Sequence, residues 1–266
     1  MKINGTLARA GLTAGLVLTG CQGLGPQMGT VTLHLTDAPG ASFRSATVWV
    51  SKVELVGDTA PTTIADTAAT YDLLSLQNGV TALLGSKTIP TGSYEQLRLI
   101  VDSARVVFDS GLHLANGDTT ASLRVPSGME TGIKVNFGEP LRVTPSQTDI
   151  VVDFNVSQSF VLMGPPSAPI GVLFTPVIHA AAQDVSGSIA GTSSPASAHG
   201  RIFAIQGTDT VGSAAADTTS GAYKIWFLPP GTYLVADSAS GFKTGTQTVS
   251  VGTAQAVTGV DFTLTH

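Results

Sequence analysis

The stretch "GTVTLHLTDAPG", residues 29 to 40, alternates with a period of two. Val31, Leu33 and Leu35 take one side and Thr32, His34 and Thr36 the other, which is the pattern of a strand with one buried face. Asp37-Ala38-Pro39-Gly40 then supplies turn chemistry, with the Asp37 carboxylate placed to accept backbone N–H groups. The same period returns in "SYEQLRLIVDSARVVF", where Leu97, Leu99 and Val101 share a face, and in "TDIVVDFNVSQSF", which groups Ile150, Val152, Phe154 and Val156. No segment carries an amphipathic helical period of useful length. Half-buried strands separated by Gly and Pro turns bury their apolar faces sheet on sheet, so the chain is expected to be all-β, of the sandwich or barrel kind.

Between these strands the pattern is less regular. In "SATVWVSKVELVG" the apolar phase shifts between Val50 and Val53, which predicts a bulge or bend. "YDLLSLQNGVTALLG" reads as a strand, an Asn78-Gly79 turn and a short helical turn. Asn116-Gly117 predicts a hairpin between "GLHLA" and "TTASLRV". "IGVLFTPVIHA" closes a first unit, and a second begins near "DVSGSIAG". There "RIFAI", "AYKIWFL", "TYLVADS", "TQTVSV" and "GVDFTLTH" read as short strands, enough for a seven-stranded sandwich.

Composition limits the partners. Charged residues are 12% of the chain, about half the usual share, and 13 basic residues face 18 acidic ones for a net charge of −5. No basic cluster breaks this balance, so no nucleic-acid partner is expected.

The amino terminus has its own logic. Lys2 and Arg9 are the only charges before an apolar run from Ala10 to Gly20. A basic start followed by a short apolar segment describes an export signal, since a spanning helix needs about 20 apolar residues. The single cysteine, Cys21, follows at once. Leu18-Thr19-Gly20-Cys21 resembles the lipobox of bacterial lipoproteins. That resemblance implies cleavage before Cys21, acylation of its thiol and new amine, and anchoring in a membrane through several acyl chains. By the sorting rule of enteric bacteria, Gln22 rather than Asp implies the outer membrane. With residues 1–20 removed, 11 basic residues face 18 acidic ones, a balance of −7.

Two further resemblances cover the rest. "GTVTLHLTDAP", "YDLLSL", "IPTGSYEQLRLIV", "LRVPSG", "GIKVNF", "IVVDFNVSQSF" and "FTPVI", in that order, resemble the bacterial domain-of-unknown-function family 4382 over about residues 29 to 180. The resemblance implies an exported β domain and supplies no catalytic residues. "SGAYKIWFLPPGTYLVADSASGF" resembles carboxypeptidase regulatory-like domains, which implies a transthyretin-like sandwich without peptidase activity. The early strands depart from that pattern, with Gly200 where the family has Ala. The units also echo each other. "IPTGSY" at Ile89 to Tyr94 parallels "LPPGTY" at Leu228 to Tyr233, each a tight turn leading into a strand that opens with Tyr. The expected organisation is a signal peptide (1–20), a lipidated tether (21–28) and two tandem antiparallel β-sandwich domains (29–183 and 184–266).

Catalytic signals are missing. The sequence lacks the zinc-protease, nucleophile-elbow, phosphate-loop and dinucleotide patterns. His34, His113, His179, His199 and His266 are scattered singly, without metal-ligand spacing. Asp37, Asp102 and Asp153 form no calcium-binding cluster, which needs about six to eight oxygens. Arg98 and Arg105 are available to pair with these carboxylates. No catalytic residue, metal or cofactor is therefore expected. Trp226 takes the parity opposite to Tyr223 and Ile225, beside Lys224. Two roles are open to it: stacking on a sugar with Lys224 as a nearby donor, or filling the seam between the units. Trp49 has the same ambiguity. The expected function is a non-enzymatic, lipid-anchored envelope protein that binds or scaffolds another surface component, a glycan or an envelope protein. A carbohydrate-binding lipoprotein is the alternative, and an enzyme with an unrecognised site is the third reading.

Overall fold

The computed structural model describes residues 26–37, 43–58, 60–125, 131–165 and 167–266. The lipobox, Cys21, most of the Asp37–Gly40 turn, the "PSG" of "LRVPSG" and one proline of "GPPSAPIG" lie outside the described residues. Among the described residues no helix is long and apolar enough to cross a membrane.

The alternating stretches form strands as expected. A four-stranded sheet carries β1 (Met28–Asp37), β5 (Ala82–Pro90), β9 (Gln147–Phe154) and β12 (Ile178–Ala182) in the order β12-β9-β1-β5. A six-stranded sheet is built around two long strands, β2 (Phe43–Gly57) and β6 (Gly92–Phe108). Their length gives each several partners. β2 takes β4 (Ala69–Asp72) near its start and β3 (Thr62–Ala65) near its end. β6 takes β8 (Ile133–Val143) on its first half and β7 (Thr120–Arg124) on its second. Pairing is antiparallel in this unit except that β1 runs parallel to β9.

The two sheets bury Val31, Leu33, Leu35, Leu97, Leu99, Val101, Ile150, Val152, Phe154 and Val156 in one core. A hairpin of β10 (Phe160–Met163) and β11 (Gly171–Phe174) closes the Asp37 end of β1. There the rings of Phe43, Phe108, Phe154, Phe160 and Phe174 pack at centroid distances from 4.7 to 6.1 Å. Asp37 is buried, and its carboxylate accepts the Val156 backbone N–H and the Gln77 side-chain amide, each at 3.0 Å. The Val156 bond ties Asp37 to a segment distant in sequence, while the turn that its carboxylate was expected to cap lies outside the described residues.

The phase shift in β2 is a bulge, with register breaks on both sides of Val50. Asn78 and Gly79 have φ of 59° and 85°, as a turn with two left-handed residues requires. A 3-10 turn at Leu73–Leu76 precedes them. The Asn116-Gly117 turn forms, with the Gly117 N–H on the Leu114 carbonyl at 2.8 Å. "GLHLA" is a correction: it is an irregular loop and pairs with no strand. Its backbone bonds are local or reach the 165–170 loop, as in Leu112 N–H to Asp109 O and Ala115 N–H to Pro169 O.

The second unit has a separate core of Ile189, Ile202, Tyr223, Ile225, Leu228, Tyr233 and Val235, among others. One sheet joins β13 (Gly187–Ser194), β16 (Ala222–Leu228), β19 (Ala256–Val257) and β20 (Phe262–Thr263), with β19 and β20 parallel to β13. The other runs β15-β14-β17-β18, from β14 (Arg201–Gln206), β15 (Asp209–Ala215), β17 (Gly231–Ser238) and β18 (Gly245–Val251). β15 was not among the expected strands. Its "DTVGSAA" has Gly, Ser and Ala where a strand normally shows large apolar residues, and small residues suit it because Ile225 and Leu228 press on Gly212.

The sequence echo has a structural counterpart. Tyr94 donates its hydroxyl to the Pro90 carbonyl at 2.9 Å, and Tyr233 donates to the Pro229 carbonyl at 2.5 Å. In both units the buried ring clamps the turn four residues before it.

Candidate functional site

The sequence candidates Trp226 and Lys224 lie on β16, where the local geometry is unusual. Along β16, Ile225 pairs with Ile189 but Leu228 pairs with Gly187, so β16 contains one extra residue. Phe227 absorbs it with a φ of 56°, a left-handed conformation that is costly for a bulky side chain. Tyr223, Ile225 and Leu228 consequently face the core, while consecutive Trp226 and Phe227 both face away from it.

They face the first unit. Gly79 sits so close to the indole that a Cβ there would lie 3.1 Å from Cε2 and Nε1. Lys224 Nζ stands over the indole, 3.3 Å from the ring centroid. The ring remains 40% exposed. Thr36, Asp37, Asn78, Gly79 and Asp153 from the first unit, with Ser213, Lys224, Trp226 and Phe227 from the second, enclose a cavity of about 20 Å³.

Asp153 is central to this seam. In register it lies beside Thr36 of β1 and His179 of β12. Its residue as a whole is half-buried, yet its Oδ1 is sealed from solvent without a hydrogen-bond partner, as is Nε2 of His179. Burial pushes the Asp153 carboxyl up to about 7. Burial also pulls the His179 imidazole down, outweighing its hydrogen bond to the Thr210 backbone and the nearby Asp209 charge, which both act to raise it. Thr210 lies on β15, so the imidazole on β12 stands near a strand of the other unit. A carboxyl beside an imidazole has the makings of an acid–base pair. The space beside it, however, is that of roughly one water molecule.

The remaining candidates do not converge. Asp102 accepts the Ser51 hydroxyl at 2.8 Å. Arg98 pairs with no carboxylate: its Nε donates to Gln96 Oε1 at 3.0 Å, and among the described residues the ion pair is Lys52–Glu54. Arg105 is exposed. His113 and His199 are exposed, His34 is half-buried on β1, and His266 stacks on Phe242 at 4.2 Å. Trp49 is half-buried on the outer face of β2, opposite Ser103 and Thr70. Among the described residues no group of three His, Cys, Asp or Glu side chains is placed to hold a metal ion. Sequence reasoning missed the Asp153–His179 pairing because it depends on strand register, and Phe227 because its conformation leaves no compositional trace.

Comparison with solved structures finds distant likenesses. The Bacillus anthracis TIE protein matches at 8% identity and a TM-score of 0.25, over 90% of this chain and 34% of that one. BcpA, the major pilin subunit of Bacillus cereus, matches at 9% and 0.23, over 89% and 70%. A streptococcal ancillary pilin matches at 13% and 0.22, over 90% and 63%. The chain thus spans about a third of the first of these. Likenesses this remote carry no functional argument. A comparison with curated protein sequences finds no match. The family model "Domain of unknown function (DUF4382)" matches residues 28–168, which contain β1 to β10 and most of the first core. With more than half of its 266 residues matched, the chain belongs to the DUF4382 family.

Proposed function

We propose that this protein is a lipid-anchored, non-enzymatic component of the bacterial cell envelope that holds two β-sandwich units together as a platform for binding or scaffolding. The seam carries this reading. A strained bulge aims Trp226 and Phe227 at the first unit, with the indole against Gly79, so the fold fixes one unit against the other. The perturbed carboxyl and imidazole lie in that contact, where about 20 Å³ leaves no room for a substrate. Indole contacts with both Lys224 and Gly79 favour a seam role for Trp226 over a sugar-stacking platform. The second unit, with two four-stranded sheets, is read as a carboxypeptidase regulatory-like module.

Anchoring rests on Leu18-Thr19-Gly20-Cys21 and is tested separately. Cys21→Ser is expected to abolish labelling by radioactive palmitate and to move the protein out of the membrane fraction. A variant that is processed normally and stays membrane-bound would end the lipoprotein reading. Fractionation of the parent between inner and outer membranes tests the placement implied by Gln22.

A further inference from the structure

The outer face of the six-stranded sheet carries an open groove of about 630 Å³ across β2, β6 and β8. Its construction starts at the β2 bulge. Consecutive strand residues normally point to opposite faces, but the extra residue lets Ser51 and Lys52 line the same groove. Across the sheet, Glu54 lies opposite Arg98, and Arg98 lies opposite Lys134. Like charges directly opposite each other destabilise a sheet, so the Arg98–Lys134 juxtaposition is a cost the fold carries.

Arg98 is also held in position. Gln96 accepts its Nε–H and donates to Asn136 Oδ1 at 2.8 Å, which fixes the guanidinium plane. Glu54, the carboxylate opposite Arg98, is engaged by Lys52. The terminal nitrogens of Arg98 and the Lys134 ammonium are left facing the groove with no bonded carboxylate among the described residues. A planar fork beside an ammonium suits a carboxylate or another oxyanion.

The rest of the lining narrows the ligand. Three cations and two carboxylates, Glu54 and Asp66, share the groove. A polyanion with charges packed side by side would meet both carboxylates, whereas sugar units that each carry one anionic group among hydroxyls would use them as acceptors. Ile100 adds an apolar, half-buried floor. Gly132, at φ +72°, lets the chain after Thr131 settle onto it, because a Cβ there would come within 2.7 Å of Ile100 Cδ1. We propose that this groove binds an acidic sugar, a uronic-acid-like residue of a glycan. Its carboxylate sits between Arg98 and Lys134, its hydroxyls bond to Glu54 and Asp66, and its C–H face rests on Ile100. The site deepens the binding half of the proposed function and is independent of the lipid anchor and of Trp226.

The test is calorimetric titration of the full chain in detergent with trigalacturonate, maltotriose and inorganic phosphate. Saturable binding of trigalacturonate is expected, with maltotriose and phosphate each weaker by about tenfold or more. Arg98→Gln and Lys134→Gln should each weaken trigalacturonate by about tenfold, with melting temperatures near that of the parent or slightly above it, because each change relieves the like-charge juxtaposition and, at half-buried Arg98, this offsets the lost bond to Gln96. Raising the salt should weaken binding in the parent and less so in the variants. No saturable binding at millimolar trigalacturonate, equal binding by both variants, or phosphate binding as tightly as the uronate would each overturn the proposal. None of these outcomes touches membrane fractionation, so a failed sugar site and a failed anchor are distinguishable.

Discussion

Trp226 has a definite energetic position. It is neither a free platform nor a core residue: 40% of it is exposed, one part lies on Gly79, and Lys224 stands over the ring. Truncation removes the buried part of the ring and the cation–π contact and leaves little cavity, because solvent already reaches the site. Trp226→Ala is therefore expected to cost about 1–2 kcal/mol in the intact chain, read by urea unfolding, with trigalacturonate affinity unchanged. A cost within about 0.5 kcal/mol would mark the ring as a surface residue and weaken the case for a fixed seam. Residue-scale facts of this kind were half legible. The parity of "AYKIWFL" places Trp226 outward beside Lys224, as found, but the sequence does not say what lies opposite. The Tyr94 and Tyr233 clamps were legible as an echo in "IPTGSY" and "LPPGTY", because a hydroxyl bond to a carbonyl four residues earlier is local.

At the scale of strands, one device recurs. A single inserted residue in β2 brings Ser51 and Lys52 to one outer face, and another in β16 does the same for Trp226 and Phe227. The β2 bulge was visible as a phase shift between Val50 and Val53, since both flanks are strongly apolar. The β16 bulge was hidden, because "IWFL" is apolar in every register. The pairing of β9 with β12 was equally hidden, and it creates the Asp153–His179 neighbours. Its consequence is a pH dependence. An ordinary Asp titrates near 3.9, and the buried Asp153 carboxyl is pushed up to about 7. A folded-state pKa above the unfolded value means that the folded protein holds the proton more tightly. The favourable contribution is complete below pH 4 and is lost as pH rises towards 7. His179, shifted down, opposes this on the acid side, while Thr36, Asp37 and Lys224 share the cavity. Asp153→Asn keeps the shape and removes the carboxyl titration. Its stability relative to the parent should be most favourable above pH 7 and should decline by about 4 kcal/mol as pH falls towards 4. Urea midpoints measured across that range check this, and a difference independent of pH would show that Lys224 or solvent already neutralises the carboxylate.

For the whole molecule, the question is how far the two units stand alone. Their β character was readable from strand spacing. Sheet order, the parallel β1–β9 pair and the seam were not, because they depend on contacts between residues far apart in sequence. Among the described residues the second core begins at Ile189. A cut before Asp184 keeps the Val185 carbonyl, which accepts the Ala254 N–H at 3.0 Å, and loses the Ser186 hydroxyl bond to Ala182. Residues 184–266 should therefore fold alone, with dispersed amide resonances and a single cooperative unfolding transition. The isolated unit should melt below its transition in the full chain, because Trp226 and Phe227 lose their cover and the strained φ of Phe227 loses the contact that offsets it. The decisive measurement is a cycle. Trp226→Ala should cost about 1–2 kcal/mol in the full chain and fall within about 0.5 kcal/mol in the isolated unit, since the missing difference is the coupling across the seam. Equal costs in both backgrounds would mean that the indole stabilises its own unit, and that the two sandwiches are joined by the chain between them rather than by the seam.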